Sequence, residues 1–338
     1  MRIATYNVEW FNTLFDDSGA LLDDDESSGR YAVTRGAQLA ALGIVFTALD
    51  ADAVLVVEAP DTGRHRTTVR ALRNFAAHMG LRARQAVIGF ANQTQQELAL
   101  LYDPDVIEAR HDPRASSGAP RFDGVFRIDL DVDAQRDQVR FSKPPLELVL
   151  RTRSGFGVRL IGTHLKSKYP HGAATRDEAM RGAIANRRKQ LAQALWLRAR
   201  VDDHLSAGEP LVLLGDLNDG PGLDSFEELF GRSSVEIVMG EGGPAELRLF
   251  DPHARRALTH PLAAQHSTAR FYMPDEERYL QALLDYIMIS PQLVEYDTKW
   301  RIWHPFDDPG CFGVPELREA LLVASDHFPV SLDLALPS

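Results

Sequence analysis

The 338-residue sequence predicts an α+β fold in which two packed β-sheets carry helices on their outer faces. Short apolar runs rich in β-branched residues recur along the chain, as is typical of strands. Nearly all of these runs are apolar throughout rather than alternating, which a sheet buried on both faces requires. Helical patterns lie between some of the runs, whereas other runs are separated only by turns. These observations indicate sheet layers flanked by helices.

The individual elements follow from these patterns in chain order. Strands are predicted at 3–6, 53–57, 98–102, 146–150, 158–161, 211–214, 286–289 and 328–332. Helices are predicted at 36–49, 67–78, 179–207 and 225–230. By composition, the segments 16–29, 112–124 and 239–264 are predicted to be irregular surface loops. Since no stretch has the length and composition of an interdomain linker, we predict a single domain over residues 1–338.

Composition and charge narrow the class of protein. Hydrophobic residues make up 44% and charged residues 25%, which argues against a disordered, collagen-like or coiled-coil chain. The net charge of −11 weighs against tight binding of extended duplex DNA. Cys311 is the single cysteine, which excludes an intramolecular disulfide and a thiolate zinc site. The sequence shows neither a secretory leader nor an apolar run long enough to span a membrane, so we expect a cytoplasmic protein. We also expect the protein to be a monomer.

Polar side chains of a restricted kind stand where predicted strands begin or end. Rigid strand ends are suited to holding groups that converge on one site. Each residue alone has a simpler explanation, such as a strand reaching solvent or a turn closed by an Asp or Asn side chain. Only the ordered set indicates a shared site. Its carboxylates, amides and imidazoles are Asn7, Glu9, Glu58, His164, Asp216, Asn218, Asp285, Asp326 and His327.

The ordered motifs resemble the endonuclease/exonuclease/phosphatase superfamily, which includes deoxyribonuclease-I-like nucleases, apurinic endonucleases, sphingomyelinases and inositol polyphosphate 5-phosphatases. The resemblance spans nearly the full chain, and it implies a four-layer sandwich of two mixed β-sheets with outer helices. In one departure, Val57 stands where the family usually has a glutamine before its metal carboxylate. The motifs that carry the resemblance are Thr5-Tyr6-Asn7-Val8-Glu9-Trp10, Val57-Glu58, Gly162-Thr163-His164-Leu165-Lys166-Ser167, Gly215-Asp216-Leu217-Asn218, Leu284-Asp285-Tyr286-Ile287 and Ser325-Asp326-His327-Phe328-Pro329-Val330.

The resemblance implies a phosphoesterase that depends on Mg²⁺ or Mn²⁺. A phosphodiester resists attack because its negative oxygens repel the nucleophile, so a catalyst must neutralise charge and activate water. Carboxylate and amide oxygens suit a hard divalent cation. We expect Glu58 to be the first metal ligand, with Asn7 and with Asp326 or Glu9 near it.

The resemblance also implies roles for the remaining residues. Asp216 would orient or deprotonate the attacking water, and Asn218 would hold the phosphate or the nucleophile. Asp285 would fix the tautomer of His327 and raise its pKa. His327 and His164 would contact the phosphate or transfer protons, and the division of these roles between them is open.

Further residues bear on the substrate. Lys166 and Arg187 belong to a basic series that forms either a phosphate-binding rim or a solvated helix face. Arg270 and Tyr272 either supply a cation and an aromatic ring for stacking a base or belong to the core. The segment around His164 resembles that of bacterial nucleases, which favours a nuclease acting on DNA or RNA, or an enzyme for small phosphodiesters.

Several alternatives stay open at this point. A phosphomonoesterase or a lipid- or inositol-headgroup phosphoesterase would share the fold and the same site residues. A zinc hydrolase with two histidines and a carboxylate is disfavoured, because the sequence has no closely spaced histidine pair. A serine hydrolase is disfavoured by the absence of a Gly-x-Ser-x-Gly motif. The alternative from another class is a catalytically inactive binding protein.

Overall fold

A computed structural model describes residues 1–92, 94, 96–129, 137–170, 172, 175–221, 231–260, 263–273 and 277–337. The strands in these ranges are β1 (Arg2–Asn7), β2 (Ala53–Pro60), β3 (Gln85–Ile88), β4 (Gln96–Tyr102), β5 (Ile107–His111), β6 (Phe126–Ile128), β7 (Asp137–Val139), β8 (Leu146–Thr152), β9 (Gly157–His164), β10 (Leu211–Asp216), β11 (Ala269–Met273), β12 (Arg278–Ala282), β13 (Asp285–Ile289), β14 (Lys299–Ile302) and β15 (Val330–Asp333). The helices are α1 (Arg35–Leu49), α2 (Thr68–Met79), α3 (Arg176–Ser206), α4 (Ser234–Met239), α5 (Pro252–Thr259), α6 (Pro291–Val294), α7 (Pro309–Phe312) and α8 (Pro315–Ala324), with 3₁₀ turns at Phe11–Leu14 and Ala245–Leu247.

Two large sheets hold most of these strands. One has six strands in the order β14-β15-β1-β2-β4-β3, and the other has five in the order β13-β10-β9-β8-β5. β1 pairs with β2, and β9 with β10, in parallel. The other pairs in these two sheets are antiparallel, so both sheets are mixed. Separate hairpins are formed by β6 with β7 and by β11 with β12.

Alternation along β2 shows how the layers pack. Leu55 and Val57 belong to a core cluster that also contains residues of the five-stranded sheet. Val54 and Val56 belong to a second cluster with α1 and α2. Because successive side chains of a strand point to opposite faces, β2 is buried between the other sheet and the helices. The predicted fold of two packed mixed sheets with outer helices is confirmed.

The two sheets are in close contact at Gly162 of β9. A Cβ atom added there would lie 2.4 Å from Leu55 Cδ1 on β2, so a larger side chain would push the layers apart.

The predicted loops had mixed outcomes. Segments 16–29 and 112–124 contain no helix or strand, as predicted. The prediction of an irregular segment at 239–264 was wrong, because α5 lies within it. The Asp251 side chain caps α5 by accepting hydrogen bonds from the backbone N–H groups of His253 and Ala254, both at 2.9 Å. A helix of two turns is too short to show clear periodicity.

Two further expectations concern helices. The helix predicted at 225–230 lies outside the described residues. Within the described ranges, no helix is both long enough and apolar enough to cross a membrane.

Candidate active site

The predicted site residues meet at one end of the two sheets because of the strand directions. β1 and β2 are parallel, so Asn7 lies at the same edge as the end of β2. β9 and β10 are also parallel, and His164 lies opposite Asp216 at their ends. The antiparallel strand β13 begins at this edge, which places Asp285 opposite Asp216 on its other side.

Asp216 is a buried carboxylate held by two amides. Its Oδ2 accepts hydrogen bonds from Asn7 Nδ2 at 3.1 Å and from Asn218 Nδ2 at 3.2 Å. Its Oδ1 accepts a hydrogen bond from the backbone N–H of Asn218 at 2.7 Å. His164 Nε2 lies 3.7 Å from Oδ2. Burial, followed by the nearby Asp285, raises the pKa of the Asp216 carboxyl to about 7.

The backbone around Asp216 explains the residue types beside it. Gly215 has a φ of 131°, and a Cβ there would lie 2.0 Å from the carbonyl oxygen of Thr163. Only glycine therefore allows β10 to approach β9 this closely. Asn218 has a φ of 51°, a left-handed conformation that asparagine tolerates better than most residues.

His327 and Asp285 form a buried ion pair. His327 Nδ1 lies 2.7 Å from Asp285 Oδ2, so the contact that we predicted is present. Burial opposes a charged imidazole, but Asp285 and then Asp216 raise the pKa of His327 well above its ordinary value. These two carboxylates therefore favour the charged imidazolium form of His327. One carboxylate oxygen each of Asp216 and Asp285 and one ring nitrogen of His327 all lie within 4.8 Å of one another. The three side chains are therefore close enough to contact a single metal ion.

Glu58 reaches the site from a β-bulge. The pairing of β2 with β4 shifts register between Val57 and Ala59, and Glu58 between them has a φ of 61°. A bulge of this kind turns one side chain out of the strand's regular alternation. Gln96 Nε2 donates a hydrogen bond to Glu58 Oε2 at 2.5 Å. Burial raises the pKa of the Glu58 carboxyl.

Lys143 is a site residue that the sequence analysis missed. Its Nζ lies 3.1 Å from His164 Nδ1 and 3.9 Å from Glu58 Oε1, and it also contacts Gln96 Oε1. A charged Lys143 would donate to His164 Nδ1, which would leave the ring proton of His164 on Nε2. Burial, and then Lys143, lowers the pKa of His164 well below its ordinary value, which keeps this imidazole neutral. Lys143 precedes β8 without a recognisable motif, so the sequence offers no signal for it.

The oxygen atoms of the site fit a divalent cation. Among the described residues, Asn7 Oδ1, Asp285 Oδ1 and Asp326 Oδ1 are buried without a hydrogen-bond partner. A buried oxygen without a donor is unfavourable, and a hard cation would satisfy it. Burial raises the pKa of the Glu58 carboxyl, the charges of Lys143 and His327 lower it, and the charge of Asp326 raises it further.

Both carboxylate oxygens of Glu9 have protein partners, as do both oxygens of Glu58. Oε1 accepts a hydrogen bond from Trp10 Nε1 at 3.0 Å, and Oε2 pairs with Arg30. Burial, and then Asp326, raises the pKa of Glu9 to about 7. Among the four predicted metal ligands, Asn7 and Asp326 therefore have a buried oxygen without a hydrogen-bond partner, whereas a metal at Glu58 or Glu9 would replace existing contacts.

The four predicted substrate contacts lie in different environments. Lys166 is partly exposed, and its backbone N–H donates to Gln193 Oε1 at 2.9 Å. Arg187 is fully buried and pairs with Asp219, so the structure does not bring it to the solvent-facing side of the site. Arg270 and Tyr272 lie on β11, which is hydrogen-bonded to the Asp326–His327 segment. The Tyr272 side chain is exposed.

Comparisons with known proteins give a family match and a shared fold. A family model described as Endonuclease/Exonuclease/phosphatase family matches residues 4–327. The chain is similar to the human Nocturnin catalytic domain with bound sulfate, at 15% identity and a TM-score of 0.50, covering 99% of this chain and 94% of that one. It is similar to the 3′ phosphatase NExo from Neisseria bound to a product DNA hairpin, at 16% identity and a TM-score of 0.50, covering 99% of both chains.

A third similar structure is an endonuclease/exonuclease/phosphatase family protein from Bacteroides thetaiotaomicron, at 14% identity and a TM-score of 0.50, covering 98% of this chain and 96% of that one. No curated protein matches the sequence. At these identities, the likeness to solved structures shows the fold alone.

Proposed function

The chain belongs to the endonuclease/exonuclease/phosphatase family, and from this premise we propose that it hydrolyses phosphodiesters, in nucleic acid or in small molecules, with a divalent metal ion. The broader statement, a metal-dependent phosphoesterase, follows from the family. The observation that carries the proposal is Asp216, a buried carboxylate held by two amides between one neutral and one charged imidazole.

Glu58, Asp326 and Asn7 would hold Mg²⁺ or Mn²⁺ through their oxygens. When bound, the ion would neutralise charge on the phosphate and lower the pKa of a coordinated water. Gln96 and Lys143 would position Glu58, because both contact its carboxylate.

Asp216 would orient the attacking water and accept its proton. Asn7 and Asn218 donate to Oδ2 and fix the carboxylate plane, so that the remaining lone pairs have a defined direction. Asn218 also donates to the carbonyl oxygen of Leu165 at 3.0 Å, which joins the segment after His164 to the Asp216 turn.

The two histidines would have different roles because their charges differ. His327, kept charged by Asp285, would donate a proton to the leaving oxygen or a hydrogen bond to the phosphate. His164, kept neutral by burial and Lys143, would donate a hydrogen bond from Nε2. We therefore assign the general acid to His327.

Charge supports a diester over a monoester. Lys143 and the His327 imidazolium are cations within the buried site, which also contains several carboxylates. A phosphodiester carries one negative charge, whereas a monoester carries about 1.5 to 2 at neutral pH. The smaller negative charge is the easier one to place beside the carboxylates of the site.

The test is to compare hydrolysis of bis-p-nitrophenyl phosphate and p-nitrophenyl phosphate in Mg²⁺, Mn²⁺ and EDTA, followed by single-stranded and duplex DNA. We expect diester cleavage that stops in EDTA and exceeds monoester cleavage. Preference for the monoester would instead identify a phosphatase. A folded protein that is inactive on every substrate in either metal would be a binding protein.

A further inference from the structure

Several exposed aromatic side chains stand close in the sequence to the predicted site residues. Trp10 is 45% exposed and follows Asn7 and Glu9, while Tyr169 is 62% exposed and follows His164 by five positions. The densest group is on the β11–β12 hairpin, where Tyr272 and Tyr279 are 53% and 49% exposed.

The hairpin has two distinct faces. Tyr272 lies directly opposite Tyr279 in the strand register, and their rings are 5.2 Å apart at a tilt of 58°. Arg270, two positions before Tyr272, points to the same face, and its guanidinium lies 3.4 Å from the centre of the Tyr279 ring. On the other face, the Phe271 ring meets the His327 ring edge-on at 5.5 Å.

The hairpin is hydrogen-bonded to the segment that contains Asp326 and His327. Its first residue, Ala269, is bridged to His327, and the backbone N–H of Arg270 donates to the carbonyl oxygen of Asp326 at 2.7 Å. A ligand on the exposed face would therefore be held at a fixed position relative to His327, with one hairpin between them.

Two exposed rings and a stacked guanidinium form a surface that matches one kind of ligand. Nucleobases stack on aromatic side chains and on arginine regardless of their identity, and the arginine also attracts the phosphate backbone. In duplex DNA the base faces are covered by neighbouring base pairs, so only an unpaired base can use such a surface. The net charge of −11 on the protein likewise disfavours a nucleic acid that is held only through its phosphate backbone.

We propose that the exposed face of the β11–β12 hairpin, formed by Arg270, Tyr272 and Tyr279, stacks an unpaired base of a single-stranded nucleic acid whose neighbouring phosphate lies in the active site. This inference rests on the proposed function, because it names the substrate as single-stranded nucleic acid. The stacked base belongs to a flanking nucleotide, since the exposed face is turned away from His327.

The experiment measures binding of a labelled oligothymidylate and of an abasic oligonucleotide of equal length, by fluorescence anisotropy in EDTA so that neither strand is cut. The full chain is compared with the double variant Tyr272→Ala/Tyr279→Ala and with the conservative variant Tyr272→Phe/Tyr279→Phe. Phe312→Ala is the matched control. Phe312 is also exposed, and the guanidinium of Arg318 lies over its ring, but Phe312 is on α7 and not on the hairpin.

We expect the wild-type chain to prefer the oligothymidylate by on the order of tenfold. The double alanine variant should lose this preference, while the phenylalanine variant and Phe312→Ala should keep it. Equal binding of both oligonucleotides by the wild type, or an unchanged preference in the double alanine variant, would overturn the inference. The comparison of the two ligands on wild type holds even if the alanine variant fails to fold.

The two proposals fail separately. If the wild type cleaves bis-p-nitrophenyl phosphate but shows no preference for bases, only the stacking surface is wrong. If it cleaves no diester in either metal, the proposed function is wrong whatever the oligonucleotides show.

Discussion

At the scale of single residues, the site depends on backbone conformations that most side chains avoid. Glu58 and Asn218 have positive φ angles, and Gly215 packs where any Cβ would collide with Thr163. A non-glycine residue in such a conformation costs about 1–3 kcal/mol, and it persists only where the surrounding structure fixes it. Asn218 is fixed by hydrogen bonds to Asp216 and Leu165.

Replacing Asp216 with asparagine should abolish turnover while leaving the fold intact. The amide has the same shape but cannot accept a proton from water, so kcat for bis-p-nitrophenyl phosphate should fall by about 100- to 10,000-fold. Asp25→Asn, in an exposed position, is the control and should keep its activity. Near-normal turnover by a folded Asp216→Asn protein would contradict the role assigned to this carboxylate.

Replacing Glu58 with glutamine should remove metal binding. A ligand that binds only the folded state stabilises it by about 2.7 kcal/mol at one hundred times its Kd. The Tm of the wild type should therefore rise with Mg²⁺ or Mn²⁺ in differential scanning calorimetry, and that of Glu58→Gln should not. Glu108→Gln, which changes an exposed glutamate on β5, should respond like the wild type. An equal rise in the Glu58 variant would rule out Glu58 as a ligand.

At the scale of elements, α3 supports the segments that follow His164 and Asp216. It does so through a buried polar face. Gln190 Nε2 donates to the carbonyl oxygens of Leu217 at 3.2 Å and Asn218 at 2.9 Å. Arg187, on the same face, pairs with Asp219, which also accepts from Lys168 Nζ at 2.8 Å. The structure thus gives Arg187 a positioning contact, whereas its predicted contact with substrate stays a prediction.

Replacing Asp219 with asparagine should destabilise the protein in a pH-dependent way. The change leaves the buried Arg187 without its counter-charge, so the free energy of unfolding at pH 7 should fall by about 3–5 kcal/mol. Burial would raise the pKa of Asp219, but Lys168 and Arg187 outweigh it and hold that pKa below its ordinary 3.8.

Because the folded-state pKa is the lower one, the stabilisation by Asp219 is complete above the unfolded pKa and is lost as pH falls through the folded value. In urea unfolding, the deficit of Asp219→Asn should be constant from about pH 7 to pH 5 and narrow below about pH 4. Asp105→Asn, at a largely exposed ion pair, should change stability by less than about 1 kcal/mol. A deficit that instead grows on acidification would contradict the assigned direction of the pKa shift.

At the scale of the whole molecule, Gly162 and Leu55 form a close contact between the two sheets. Gly162→Ala should destabilise the fold by about 1–3 kcal/mol through overpacking. Leu55→Ala should cost about 2–5 kcal/mol through the cavity that it leaves. The double variant should lose less than the sum, because the new methyl group occupies part of that cavity. Urea unfolding of the four proteins measures this, and simple additivity would show that the two positions do not limit the packing.

The sequence predicted the layers and most strands because uniformly apolar runs report burial directly. β2, for example, was predicted at 53–57 and extends to Pro60, since the bulge at Glu58 interrupts the apolar pattern but not the pairing. The β11–β12 hairpin was missed because its strands mix exposed tyrosines with partly buried residues.

Site prediction from sequence was limited in a similar way. The motif residues near Asp216 were found because each stands at a strand end. Gln96 and Lys143 were missed because they reach Glu58 and His164 only through the cross-strand arrangement, which no local pattern encodes. Arg187 resembled a surface charge, although α3 turns it inward.

The strand order has a consequence for the protein during its synthesis. β1 lies between β2 and β15, and the Ser325 hydroxyl donates to the carbonyl oxygen of Asn7, 318 positions away in the chain. A nascent chain on the ribosome that has not yet released this last segment lacks His327 and one of the two neighbours of β1. Such a chain lacks part of the proposed site, so the phosphoesterase activity proposed here should appear only after the segment that carries Ser325 and His327 has been released and β15 has paired with β1.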